Sequence, residues 1–353
     1  MASQLHQRLE LSSRAVALLL AVELGGSMLA SWPALVWSRQ TPARAVAVSA
    51  AILFIIANVV SAYFQTYQLL LISRGLAGLA GGTLAILTLM IGAQAPQPTR
   101  MYGLWILGQT LLAAAGLMLF TSLSTRFGLG ILYVAMAAGM VFTLPLAWAL
   151  DPVRAPVAGD SRSVGLPRPS AAHVPNSAGI LLVLFIFYLM ANGLWAFAAE
   201  RGSQLHLPSA RVDACLSAAS LISLGGASLA SWIGTADGCW RLALMGHLAL
   251  CVAAMLFGLD RGLAVFVAFA IILQFTWAFT APLLLAMAAR LEPAGWAMAP
   301  ANLLLSAGLA VGPIVTGFFF DTQHGPRTIA WVAAVVLTCN LALLTNGRRV
   351  PVG

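Results

Sequence analysis

Apolar runs broken by Pro, Gly and Arg follow one another along almost the whole chain, near residues 14–37, 46–64, 67–93, 102–124 and 127–149, then near 178–199, 212–233, 242–258, 262–288, 297–320 and 327–346. A helix rises 1.5 Å per residue and needs about 20 apolar residues to cross roughly 30 Å of hydrocarbon. Each run is close to that length, so the pattern predicts about eleven transmembrane helices, five before the middle and six after it. Composition excludes a soluble alternative, because 61% of the 353 residues are apolar and only 8% are charged, a surface water could not solvate. The expected fold is all-α, and the lipid bilayer is its first partner.

Residues 151–177 separate the two groups with five prolines, three arginines and hardly a bulky apolar side chain. That composition predicts a linker, not membrane. The expected organisation is therefore an N-terminal helical bundle over 1–150, a linker over 151–177 and a C-terminal helical bundle over 178–353. The first run exceeds 20 residues, contains Glu23 and has no small-residue cleavage signature, which makes it a span and not a signal peptide.

Charge and motif content exclude several function classes. The formal net charge is +8 and all eighteen basic residues are arginine. They fall one to three at a time between apolar runs, which suits anchoring against anionic headgroups and gives no support for nucleic-acid binding. Cys215, Cys239, Cys251 and Cys339 lie singly, without a CxxC pair, so neither a metal site nor a disulfide is expected. No GxxxxGK[ST] loop is present for ATP, and His6, His173, His206, His247 and His324 are scattered with no HExxH or GxSxG motif. The chain reads as a non-enzyme that needs no cofactor.

The most informative feature is a duplication. Leu24-Gly25-Gly26-Ser27-Met28-Leu29-Ala30-Ser31-Trp32 recurs as Leu224-Gly225-Gly226-Ala227-Ser228-Leu229-Ala230-Ser231-Trp232, with seven of nine positions identical. A shared Trp at the helix end argues for two repeated halves over a chance recurrence of small residues. The span carrying the second copy is preceded by an extra span, near 178–199, whereas thirteen polar residues precede the span carrying the first. One helix therefore looks absent at the start, and restoring it would give six plus six.

On these residues the chain resembles the major facilitator superfamily over essentially its whole length, lacking only the first helix. The resemblance implies two pseudo-symmetric helical bundles that rock about a central site. Ser73-Arg74-Gly75-Leu76-Ala77-Gly78-Leu79-Ala80-Gly81-Gly82 is similar to the Arg-then-glycines pattern of the family's fourth helix. Gly308-Leu309-Ala310-Val311-Gly312-Pro313 is similar to its Gly-Pro helix-packing motif. The family's Asp-and-Arg loop motif is reduced to Ser38-Arg39-Gln40-Thr41-Pro42-Ala43-Arg44, without an acid. Its second-half counterpart keeps Asp237 and Arg241, candidates for a loop gate. The family's topology would put the linker and the C-terminus in the cytoplasm. Ten loop arginines would then lie inside against seven outside, a lean in the expected direction.

An ionised side chain at a helix centre costs about 2.5–3.5 kcal/mol on insertion scales, so those inside spans invite a role. Glu23 is the candidate proton-binding carboxylate, with a neutral Glu bonded to a neighbouring helix as the structural alternative. Arg74 shares a stripe with Gly78 and Gly82, since steps of four residues drift by only about 40°, and suits either substrate binding or an ion pair. Gln109, Asn192, Trp195, Gln274, Trp277 and Asn302 are candidate cavity residues, able to bond or stack on a ligand and equally able to join helices. Glu200 and Arg201 read as interfacial, and His247 as a packed neutral histidine. Gly78, Gly82, Gly308, Gly312 and Pro313 are candidate helix-packing positions.

The function expected is secondary active transport of a small organic solute by alternating access, proton-coupled, in the cell's inner (plasma) membrane. The competing expectation is a truncated or non-transporting membrane protein that retains the transporter fold.

Overall fold

The computed structural model describes residues 13–64, 66–128, 130–150, 177–234, 239–291, 297–320, 322 and 324–346. Among them the secondary structure is helical, with no strand. The expected linker lies, except for its last residue, outside the described residues. The helices are α1 (Ser13–Leu29), α2 (Ser31–Gln40), α3 (Ala43–Tyr63), α4 (Tyr67–Ala93), α5 (Pro98–Phe127) and α6 (Gly130–Thr143), which continues as a 3₁₀ turn over Leu144–Ala149. After the linker come α7 (Ser177–Ala196), α8 (Ala198–Gln204), α9 (Ser209–Ile233), α10 (Cys239–Phe257), α11 (Leu263–Ala289), α12 (Met298–Phe320) and α13 (Gly325–Asn346).

Among the described residues, nine helices are long and apolar enough to cross a membrane: α3, α4, α6 with its 3₁₀ extension, α7, and α9 through α13. Each coincides with a predicted run. The runs predicted near 14–37 and 102–124 fall on the α1–α2 pair and on α5, which are not among the nine. The break at Ala30 has a simple cause. Pro33 has no N–H to return to the Leu29 carbonyl, so the helix hydrogen-bond ladder is interrupted one turn earlier. The equivalent helix α9 has Ile233 in that place and runs unbroken to Gly234, whose left-handed conformation (φ 51°) ends it.

The chain divides into two compact units. The first comprises Met1–Ile91, Leu112–Leu166 and Met298–Ser306; the second comprises Gly92–Leu111, Pro167–Ala297 and Ala307–Gly353. Each unit thus takes most of one half of the sequence and a short helical segment of the other.

Small residues set the packing in both units. In the first, α1 lies so close to α4 that a Cβ on Gly26 would collide with the Gly75 carbonyl and the Leu79 nitrogen. On the α4 side, a Cβ on Gly78 would strike the Glu23 carbonyl and one on Gly82 the Ser27 backbone. In the second unit, α9 and α11 meet in the same way: a Cβ on Gly226 would collide with the Phe275 carbonyl and the Phe279 nitrogen. The partners of Gly26 and of Gly226 are both shifted by 200 residues, the offset of the sequence duplication. A duplicated stretch that keeps its contact partners in register on a second helix marks a repeated structural unit.

Two further contacts engage equivalent positions of the two copies, 27 and 31 in one and 227 and 231 in the other. Asn302 of α12 donates to Ser31 Oγ (3.2 Å) and the Ser27 carbonyl (3.4 Å) within the first unit. Gly103 of α5 lies against Ser231 and the Ala227 carbonyl within the second. Trp32 and Trp232 are both exposed, 66% and 84%, the position amphipathic rings take at a membrane–water boundary.

Candidate functional site

Within the first unit, α4 carries Arg74 into a polar cluster among apolar helices. The side chain is 3% exposed. Its Nη2 donates to Asn58 Oδ1 (3.0 Å) and to Ser61 Oγ (2.9 Å), both on α3. Those two residues are three apart, hence on one face of that helix. Ser61 in turn donates to the Ala57 carbonyl, and its oxygen lies 2.8 Å from Ser73 Oγ. The guanidinium carbon sits 4.6 Å from the centre of the Tyr133 ring on α6, an arrangement in which the ring face attracts the cation.

The remaining charge partner is Glu23. Its Oε1 is 3.6 Å from Arg74 Nη1, and its side chain is 31% exposed. That separation is an ion pair without a hydrogen bond, since N–H···O bonds close at 2.7–3.2 Å. Arg74 Nη1 and Nε consequently have no hydrogen-bond partner although both are buried. The buried cation thus keeps two unused donors beside an incompletely engaged, partly exposed carboxylate. Buried donors left unmatched are rare and costly.

The stripe predicted from Arg74, Gly78 and Gly82 faces α1. The two glycines admit the α1 backbone, and the arginine reaches Glu23. Asn58, Ser61 and Tyr133 were not singled out from sequence. Asn58 offered a signal, as a lone amide in Ala51-Ile52-Leu53-Phe54-Ile55-Ile56-Ala57-Asn58-Val59-Val60; Ser61 and Tyr133 offered none distinguishable from ordinary helix composition.

The other candidates have separate placements. Asn192 on α7 donates to the Leu309 carbonyl at 2.6 Å. That is the carbonyl Pro313, four residues later and lacking an N–H, leaves unused in α12. Asn192 thus repairs a proline-interrupted helix. Gly308 and Gly312 face the α7 backbone at Phe185–Leu189 and Leu189–Gly193. Asn302 joins α12 to Ser27 and Ser31 as described. Trp195, Gln274 and Trp277 are half-buried in the second unit, and Gln109 is exposed. By the 200-residue offset Gln274 takes the place of Arg74, and Ser223 that of Glu23, so the charged pair belongs to one repeat only. Arg241 is exposed and sits 5.4 Å from the Trp240 ring centre; Asp237 lies outside the described residues.

His247 is packed as expected. Its Nδ1 is 2.7 Å from the Ala243 carbonyl, and its Nε2 is 3.1 Å from Asn340 Nδ2. An amide nitrogen only donates, so Nε2 accepts, Nδ1–H donates, and the ring is the neutral tautomer. Arg201, expected at the interface, is instead 3% exposed. It donates to the Phe257 and Leu259 carbonyls and to Asp260 Oδ1 (2.8 Å), while Arg327 bonds Asp260 Oδ2 (2.7 Å). The unfinished carbonyls at the end of α10 draw the guanidinium in. An open groove of about 830 Å³ beside Gln97, Arg100, Ser228 and Trp232 in the second unit includes none of the candidate transport residues.

Residues 1–298 match the Major Facilitator Superfamily. The chain belongs to this superfamily. Solved structures of its transporters share the fold across nearly the whole chain. The fucose transporter FucP in its outward conformation superposes with a TM-score of 0.81 at 12% identity, covering 99% of this chain and 93% of that one. The human organic anion transporter MFSD10 (TETRAN) gives 0.78 at 16% identity, covering 97% and 88%. The proton:xylose symporter XylE gives 0.74 at 16%, covering 98% and 90%. No curated protein matches the sequence significantly. The protein is therefore a multi-pass membrane protein with the fold of a Major Facilitator Superfamily transporter, a family of transporters rather than enzymes.

Proposed function

We propose that the protein is a secondary active transporter that moves a small organic solute across the cell's inner (plasma) membrane by alternating access, coupled to protons through Glu23. The observation that carries this reading is the buried, under-bonded Arg74 facing a half-exposed carboxylate 3.6 Å away. A side chain that holds a proton and meets a fixed cation has two states of differing charge, and a change of charge inside a membrane biases a bistable bundle. Trp195, Gln274 and Trp277 are proposed as solute contacts, because each is half-buried in the second unit and offers an aromatic face or an amide. Asn192 and Asn302 are assigned to holding α12. Asp237 and Arg241 remain proposed as a loop gate on the strength of the resemblance alone.

The test is reconstitution of the whole chain into vesicles. An inward proton gradient should drive accumulation of at least one solute from a panel of sugars, amino acids, organic acids and amphipathic amines. Arg74→Ala should abolish that accumulation while the protein still inserts and elutes as a single species. Transport at the wild-type rate in Arg74→Ala would return the arginine to a purely structural role.

A further inference from the structure

The groove between α5 and α9 in the second unit is polar at one end and apolar at the other, and the transport reading does not use it. It opens where the start of α5 meets the end of α9, at Gly234, where a Cβ would meet Gln97 Oε1 and the Arg100 side chain. From there the two helices run antiparallel, since Gly103 lies against Ser231 and the Ala227 carbonyl. Arg100, Leu104 and Leu107 are spaced to share one face of α5, so the leucines lie about 6 and about 10 Å beyond the cation along the axis. Opposite them, Trp232 stands near the mouth and Ser228 about one turn deeper. Because α9 is among the helices able to cross a membrane and the exposed Trp232 marks its boundary end, the groove descends from headgroup level into hydrocarbon.

Its volume of about 830 Å³ is that of a ligand site. Among the described residues that line it, Arg100 is the one charged group and no acid faces it. An occupant has to suit both ends. A soluble anion would match Arg100 and leave Leu104 and Leu107 uncovered, whereas an acyl chain alone would cover the leucines and leave the cation unmatched. We propose that this groove binds one anionic phospholipid, with the phosphate on Arg100 and Gln97, the glycerol region beside Trp232 and Ser228, and the start of an acyl chain along Leu104 and Leu107. A guanidinium suits a phosphate by charge and by its paired donors, and basic pockets between membrane helices are places where anionic headgroups settle. The assignment is independent of what the protein transports. The other copy of the repeat lacks the cation: α12 meets Ser27 and Ser31 with the segment Met298–Ser306, which contains no charged residue. One such lipid per chain is therefore expected from this pair of equivalent places.

The experiment is native mass spectrometry of the purified full chain in detergent, titrated with phosphatidylglycerol or with phosphatidylcholine carrying the same acyl chains. One phosphatidylglycerol should bind more tightly than phosphatidylcholine, whose headgroup has no net charge. Arg100→Gln should weaken the phosphatidylglycerol on the order of tenfold and bring the two lipids level. Ser228→Trp, which fills the groove from an exposed position and keeps the charge, should also lose the bound lipid. Arg211→Gln removes an exposed arginine at the opposite end of α9 and should leave binding unchanged. Glycerol 3-phosphate, a headgroup without chains, should not displace the lipid. Equal affinity of the wild type for the two lipids, or equal losses in Arg100→Gln and Arg211→Gln, overturns the proposal. Displacement by glycerol 3-phosphate at the lipid's own concentration also overturns it, by assigning the groove to a soluble phosphate. If Arg100→Gln fails to fold, Ser228→Trp decides: undiminished phosphatidylglycerol binding there places the lipid elsewhere and overturns the assignment.

Discussion

Asn192 illustrates how one polar residue in a span can be misread from sequence. Its amide is equally suited to a ligand or to a neighbouring helix, and the deciding fact, the Leu309 carbonyl freed by Pro313, comes from another helix 117 positions away. Asn192→Leu should therefore destabilise the protein by about 1–3 kcal/mol, the cost of one orphaned buried acceptor, read as a lowered melting temperature in detergent. Restoring the helix bond with Pro313→Ala should recover part of the loss in the double variant; fully additive losses would show that the amide acts elsewhere. Arg201 is hard to place from sequence for the same reason, since the carbonyls it bonds, Phe257 and Leu259, lie at and just beyond the end of α10, more than fifty residues away. Its bond to Asp260, aided by the charges of Arg201 and Arg327, holds the Asp260 carboxyl below the usual carboxylate range. A lowered folded-state pKa contributes stability that is present above the ordinary carboxylate value and lost as pH falls through the lowered one. Asp260 is 54% exposed, so solvent screens much of the effect. Asp260→Asn should lower the melting temperature slightly at neutral pH and little in acid; an equal loss at both would argue against the ionic contribution.

Helices were the most legible level, because a run of about 20 apolar residues has few other fates in a membrane protein. The stripe from Arg74 through Gly82 could be read as a close-packing face, but sequence could not say which helix it meets. Gly25 and Gly26, adjacent and chemically identical, separate clearly. A Cβ on Gly25 or Gly225 meets nothing within 4 Å, whereas one on Gly26 or Gly226 meets the backbone of the partner helix. Gly225→Ala should be tolerated, and Gly226→Val should cut the yield of folded, monodisperse protein sharply, with Gly25→Ala and Gly26→Val behaving as the matching pair. Comparable behaviour of Gly225→Ala and Gly226→Val would contradict the close α9–α11 approach. The repeat predicts that each defect has its counterpart 200 residues away.

For the molecule as a whole, the duplication carried the two-part architecture in the sequence itself, seven identities in nine residues later matched by Gly26 on Gly75 and Gly226 on Phe275. What sequence did not carry is that residues 92–111 of the first half cluster with the second unit and 298–306 of the second half with the first, since helix-to-helix partnerships between distant segments leave no local period. The charged pair was half legible. Glu23 and Arg74 stood out because ions are rare in spans, yet their meeting, 51 residues apart, required α1 to lie against α4. In the proposed mechanism that pair acts as a proton-dependent switch. The direct measurement compares wild type and Glu23→Gln in vesicles for two activities, gradient-driven accumulation and solute exchange at equal pH. Glu23→Gln should retain exchange and lose every response to the proton gradient. Gradient-driven accumulation at the wild-type level in Glu23→Gln would contradict the account.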